Sequence, residues 1–264
     1  MRFDILTIFP KIFNSYFGES ILRRAQEKGL VTIQTHDIRA YTKDKHRKVD
    51  DRPFGGGAGM VLTAQPVLAA VEHVLSVRNV GSGQALPAGR QGSRSNKSNK
   101  RSDQTVRTKI VIMSAKGKLF NQKMAYDWAK KYNRLVFVSG RYEGIDERVK
   151  TILKAEEVSI GPYVLTDGDV AVMTIVSAVS RLIPGVIRLE SLAEESHWNL
   201  LLKKEAQVPI KVGIPTGVET VGGLEYPHFT RPEVLVWKGK KYRVPKVLLG
   251  GNHKEIDAWR KNHS

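Results

Sequence analysis

The chain has 264 residues, 43 Lys and Arg against 26 Asp and Glu, a net charge of +17 and no cysteine, which excludes a disulfide framework, thiolate zinc sites and thiol catalysis. No apolar run approaches the roughly 20 residues that cross a bilayer, and the start MRFDILTIFPKIF lacks a cleavable leader, so a cytoplasmic protein without membrane contact is expected. The basic excess points to a polyanionic partner, nucleic acid first.

FDILTIF (3–9) is a short, mostly apolar run and reads as a buried strand. Pro10 opens a helical stretch in which Ile12, Phe13, Tyr16, Phe17, Ile21, Leu22 and Ala25 recur at three- and four-residue spacing, and Gly29 ends it. LVTIQ (30–34) reads as a second strand, 39–62 is polar and aperiodic, and Thr63 caps a helix to about residue 77. Residues 79–109 carry seven Lys and Arg, one Asp and almost no large apolar side chains. Such a segment buries too little surface to offset its ordering entropy, so 79–108 is expected to be a disordered insertion. KIVIM (109–113) is a strand, 122–131 a helix, RLVFVS (134–139) a strand, 146–154 a short helix, VSIG (158–161) a brief strand and 169–182 a long apolar helix. Residues 187–225 have no clean period and read as a linker with a second insertion. The tail, 226–264, holds the apolar run VLVW (234–237), a basic turn KGKKYR (238–243) and a last helix over 254–261, which Asn252 and Glu255 introduce as a capping box.

Strand and helix alternate from 1 to 186, which argues for an α/β domain with a largely parallel sheet. Ligands on such sheets bind outside the carboxyl ends of the strands. Three loops sit there: SAKGK (114–118), GRYEGIDER (140–148) and GPYVLTDGD (161–169), all glycine-containing and polar. The common nucleotide and metalloprotease signatures GxGxxG, GxxxxGK[ST] and HExxH are missing. The most specific local string is VDDRPFGGGAGMVL (49–62), whose four glycines in five residues let backbone approach a ligand closely. The basic run KDKHRK (43–48) beside it reads either as a solvated face or as a phosphate contact. Arg181 ends the apolar helix, where a cation is favoured by the helix dipole in any case. AEESHW (193–198) offers paired carboxylates.

Taken together, HRKVDDRPFGGGAGM, GRYEGIDERV, SIGPYVL, SRLIPGV, EESH, YPHFTRPEV and LLGGNHKEIDAWR, in this order along nearly the whole chain, resemble the bacterial tRNA (guanine-N(1)-)-methyltransferases, the TrmD family of the SPOUT class. The resemblance implies a trefoil-knotted parallel sheet with a small, mainly helical C-terminal domain that binds tRNA. It implies methyl transfer from S-adenosylmethionine to N1 of the guanosine at tRNA position 37, by a homodimer whose active sites lie at the subunit interface. The chemistry suits the residue types. Transfer from a sulfonium needs alignment more than covalent help. The guanine N1 proton must first leave to a carboxylate, and charge developing on O6 needs a cation.

Residue by residue, the resemblance makes Glu195 the base, with Glu194 as the other candidate, and Arg181 the cation on the base oxygen, both acting across the dimer. It assigns the donor to Met113, Ser114, Gly140, Tyr142, Glu143, Ser159, Ile160, Gly161, Pro162, Tyr163, Val164, Leu165 and Gly168, and Mg2+ to Glu143. It assigns the target guanine and its neighbour to His46, Asp50, Arg52, Gly55, Gly56 and Gly57, and the anticodon stem-loop phosphates to C-terminal Lys and Arg. Ala115, Pro162, Asp167 and Ala171 depart from the family pattern within the donor loops, and the chain ends soon after Trp259, where the family usually continues into a longer tRNA grip. The alternatives are a SPOUT methyltransferase with another RNA target and a non-catalytic RNA-binding homologue.

Overall fold

The computed structural model describes residues 1–56, 59–77, 106–188 and 227–263. Of the insertion expected over 79–108, residues 79–105 lie outside the described residues, while 106–108 are described and Thr108 already pairs in the sheet; nearly all of the expected linker also lies outside the described residues. The chain divides into two compact units, Met1–Ile187 and Arg188–Ser264.

The first unit is built on five strands: β1 (Arg2–Thr7), β2 (Thr32–Asp37), β5 (Thr108–Leu119), β6 (Arg134–Val138) and β7 (Glu156–Ser159). They form one sheet in the order β2-β1-β6-β5-β7, and every pairing is parallel. Successive side chains of a strand point to opposite faces, and both faces here are covered, which is why the central strands are nearly continuous apolar runs. Phe3, Ile5, Val111, Met113, Leu135, Phe137 and Val158 pack on one side with α1 (Ile12–Phe17), α2 (Ser20–Glu27), α4 (Gln122–Lys131) and α6 (Asp169–Ser180). Leu6, Ile112, Val136 and Val138 pack on the other with α3 (Ala64–Ser76) and α5 (Glu147–Leu153). A two-residue hairpin, β3 (Asp50–Asp51) with β4 (Val61–Leu62), precedes α3.

The helical stretch expected after Pro10 is broken in two. Gly18 still donates to the Asn14 carbonyl at 3.0 Å, and the break comes at Glu19, which is extended (φ −123, ψ 159) before α2 begins. The second strand starts at Thr32 rather than at residue 30, because Val31 is core but pairing with β1 begins only at Thr32. Thr63 precedes α3, yet its hydroxyl donates to the Val49 carbonyl at 3.1 Å instead of capping the helix. Asn252 likewise makes no side-chain cap. In the second unit VLVW is β8 (Val234–Trp237), and most of the expected basic turn is a second strand, β9 (Lys240–Arg243), paired antiparallel to it. Two helices, α7 (Lys246–Leu249) and α8 (His253–Asn262), follow, so the described part of this unit is a hairpin plus helices rather than helices alone.

The amino-terminal half of the sheet is tied by one buried charge. Asp4 is fully buried and accepts from Arg2 at 2.7 Å and Arg134 at 2.8 Å, and His36 lies 2.8 Å from its other oxygen, so strands β2, β1 and β6 meet on one carboxylate. Arg134 also donates to the carbonyl of Val74 at 2.5 Å near the end of α3. Burial pushes the Asp4 carboxyl up, but the bonds from His36 and Arg2 and the charge of Arg134 prevail and hold it well below the usual carboxylate range. A depressed acid adds stability that is present above its unfolded value and is lost as pH falls through the folded one. Breaking a buried pair from one side costs about 3–5 kcal/mol. Asp4→Asn is expected to lose that much in urea unfolding at pH 7, with the gap to wild type closing below pH about 4; a gap of under about 1 kcal/mol at pH 7 would contradict the role given to Asp4.

Candidate active site

At the carboxyl ends of β5, β6 and β7 the first unit opens into a cleft of about 450 Å3, a size that suits a small ligand. Its walls are the three loops expected from the sequence, though the first is not a free loop. β5 continues to Leu119, but both Met113 and Lys118 pair with Val158, so residues 114–117 bulge out of the ladder into the cleft wall. Gly117 permits this, because a Cβ there would stand 2.5 Å from the Val158 nitrogen.

The other two loops are held against each other. The Gly168 N–H donates to the Gly140 carbonyl at 2.9 Å. A Cβ on Gly168 would stand 3.0 Å from the Gly140 nitrogen and 3.0 Å from the Met113 Cβ, so the floor of the cleft is backbone against backbone. Tyr142, at φ +58, takes the left-handed conformation without being glycine. A strained residue of this kind persists only where its surroundings fix it, and such residues gather at functional sites. All the expected donor residues except Gly161 and Pro162 line the cleft. Gly161 instead lies against the Tyr163 ring, where any Cβ would collide with it, and the Tyr163 hydroxyl donates to the Ile160 carbonyl at 3.3 Å.

Several lining groups form ion pairs that the sequence does not predict. Lys150 pairs with Glu157 at 2.6 Å, and Lys116 reaches Glu147 at 3.2 Å. Arg141 pairs with Asp167 at 3.1 Å while its guanidinium stacks 4.3 Å from the Phe9 ring centroid. Asp167 also accepts from the Asp169 N–H at 2.8 Å, so this departure from the family pattern clasps two cleft loops together. Asp169 is fully buried; one oxygen accepts from the hydroxyls of Ser139 at 2.6 Å and Thr7 at 2.9 Å, and the other has no hydrogen-bond partner among the described residues, with the Arg141 guanidinium 4.0 Å away. Burial raises the Asp169 carboxyl above the usual range, with the hydroxyl bonds offsetting only part of that and the Asp167 charge adding to it.

The other expected residues lie elsewhere. Asp50 opens the hairpin, while His46 and Arg52 are exposed on the segments beside it. Gly55 and Gly56 adopt φ +85 and +82, which glycine alone takes freely, and Gly57 lies outside the described residues. The hairpin is joined to the cleft: Glu143 N–H donates to Met60, and Leu62 N–H to Gly144, both at 3.0 Å. Arg181 ends α6 and does not line the cleft. Glu194 and Glu195 lie outside the described residues. Glu143 stands as a single carboxylate, and among the described residues no three His, Asp or Glu side chains converge on one point. A methyl donor with a cationic centre does fit: the cleft combines close backbone with five carboxylates, Glu143, Asp146, Glu147, Glu157 and Asp167, against three cations, Lys116, Arg141 and Lys150.

A parallel α/β sheet with a glycine-floored cleft at its carboxyl edge places the chain among the α/β proteins that hold small ligands at strand ends. The model of the family tRNA (Guanine-1)-methyltransferase TrmD matches residues 1–209 and 218–264. A tRNA (guanine-N(1)-)-methyltransferase from Thermomicrobium roseum is 44% identical over 99% of this chain and 78% of its own length. One from Chloroflexus aggregans is 43% identical over 99% and 82%, and one from Clostridioides difficile 39% identical over 100% and 92%. The chain belongs to the TrmD family of tRNA (guanine-1)-methyltransferases. Among the described residues no helix is long and apolar enough to cross a membrane.

A buried acid whose pKa is raised binds its proton more readily folded than unfolded, so the stability its site contributes is full below the ordinary aspartate value and falls as pH rises above it. Relative to Asp169→Asn, wild type is expected to lose stability between pH 4 and pH 7 in urea unfolding. A difference between the two that stays constant over that range would contradict the assignment.

Proposed function

We propose that the chain transfers a methyl group from S-adenosylmethionine to N1 of the guanosine at tRNA position 37, in the cytoplasm, as a homodimer with both subunits contributing to each site. The observation that carries this reading is the backbone-floored cleft at the strand ends, lined by the donor residues of the family's motifs. Bound S-adenosylmethionine supplies a methyl group on a sulfonium, which leaves as a neutral thioether. The chain's part is to hold the donor between the 114–117 bulge, the 140–146 loop and the 161–168 loop, and to keep water out. The parallel order β6-β5-β7 and the hydrogen-bonded contact between the latter two loops support a trefoil knot of the SPOUT kind in this unit.

In this reading the Glu195 carboxylate takes the N1 proton of the guanine, so that the ring nitrogen presents a lone pair to the methyl carbon. The Arg181 guanidinium balances the negative charge that grows on O6. The length of α6 supports a second subunit, once Arg181 is given the role that the resemblance implies. Gly168 lines the cleft at the start of α6 and Arg181 ends that helix, roughly 20 Å away at 1.5 Å per residue. Arg181 therefore serves the cleft of a partner copy rather than its own. His46, Asp50, Arg52 and the glycine loop receive the target guanine and its neighbour, and Lys238, Lys240, Lys241 and Arg243 of the β8–β9 hairpin meet the anticodon stem-loop phosphates.

The test is methylation of a tRNA transcript with guanosines at positions 36 and 37, read as 1-methylguanosine by mass spectrometry. Glu195→Gln should lower kcat by about a hundredfold or more with donor affinity unchanged. No 1-methylguanosine from wild type would sink the reading, and full activity in Glu195→Gln would move the base to Glu194.

A further inference from the structure

The glycine-rich hairpin carries a side chain that the reading above leaves without a role. Phe54 is 99% exposed, the most solvated large apolar residue described. A phenylalanine left in water forgoes the stabilisation that a covered ring gains. It stands on a short arm with fixed ends. The arm's base is the pairing of Asp50 with Leu62 and Asp51 with Val61, and Asp146 N–H donates to the Leu62 carbonyl at 3.0 Å, as Glu143 does to Met60. The arm is thus rooted on the wall of the donor cleft.

The surroundings of the arm select the occupant. In sequence the arm is bordered by Lys43, Lys45 and Arg52, with Asp44 and Asp51 among them; among the described residues Lys43 and Lys45 form no ion pair, and Arg52 has only the neighbouring charge of Asp51. Subunit interfaces exclude charge from their cores, and a second copy would bring the same cations and its own +17 against this face. A polyanion with unpaired bases is complementary on both counts, since phosphates meet the cations and a base meets the ring. The N1 atom of guanine lies on the pairing edge, and enzymes that act on such an atom take the base out of its stack.

We propose that Phe54 stacks on the nucleobase next to the target guanosine, filling the place the target leaves, while the flanking cations hold the adjoining phosphates. The proposal rests on guanine methylation in an RNA loop as argued above. The test titrates an anticodon stem-loop RNA, carrying 2-aminopurine beside the target guanosine, with wild type and with Phe54→Ala, Phe54→Leu and Phe54→Trp. Phe54→Ala and Phe54→Leu are expected to bind roughly ten- to a hundredfold more weakly, with a smaller fluorescence change. Phe54→Trp should match wild type, and calorimetry should give one donor affinity for all four.

Wild-type affinity and fluorescence change in Phe54→Ala would overturn the proposal and leave the methylation reading standing. A loss of dimer in sedimentation that accounts for the weaker RNA binding would also overturn it, placing Phe54 in a subunit contact. Wild type that binds and stacks the RNA without forming 1-methylguanosine would uphold the stacking and remove the methylation reading.

Discussion

The close approach of Gly140 and Gly168 is the constraint on which the cleft depends. Two loops from different strands meet through one backbone hydrogen bond of 2.9 Å, and a side chain on Gly168 would press its Cβ to 3.0 Å from the Gly140 nitrogen. The same contact sets the start of α6, whose first residue, Asp169, takes hydroxyl bonds from Thr7 on β1 and Ser139 at the end of β6. Arg141 and Asp167 then close the pair of loops at the rim. Every wall of the cleft is therefore referred to the sheet rather than left to a loose loop, which is what alignment of two reacting groups to within a fraction of an ångström requires.

Charge is divided between two fields. The chain as a whole is strongly basic, yet the carboxylates of the cleft wall, Glu143, Asp146, Glu147, Glu157 and Asp167, outnumber its cations Lys116, Arg141 and Lys150, with Asp169 buried beneath it. That surplus favours a cationic ligand in the cleft, and the basic exterior favours a polyanion. The buried Asp4 hub belongs to neither field. It locks three strands at the opposite end of the sheet, leaving the carboxyl ends to carry the site.

Much of this was legible in the amino-acid order, and the exceptions have physical reasons. Apolar runs such as RLVFV mark strands because both faces of the sheet are covered, and the glycines of GRYEG and TDGD mark strand-end turns. The edge strand β2 was harder, since THD at its end is polar and only its pairing with β1 defines it. The 114–117 bulge reads as a loop locally; its continuation as strand depends on Val158, some forty residues on. Asp4 with Arg134, and Asp169 with Thr7, are separated by 130 and 162 residues, and no local pattern connects them. The donor motifs were legible through family resemblance, whereas the clasp of Asp167 on Arg141 emerged only in three dimensions.

The central claim is that a cleft on one copy is served by residues of another, and subunit mixing tests it most directly. Gly168→Val blocks the cleft but keeps Glu195, and Glu195→Gln keeps the cleft but removes the base. Each homodimer should be nearly inactive. Unfolding and refolding an equal mixture should restore about a quarter of wild-type methylation, because half the dimers are hybrids with one complete site. Activity no greater than that of the separate variants, in a mixture proven by mass to contain hybrids, would contradict a shared site.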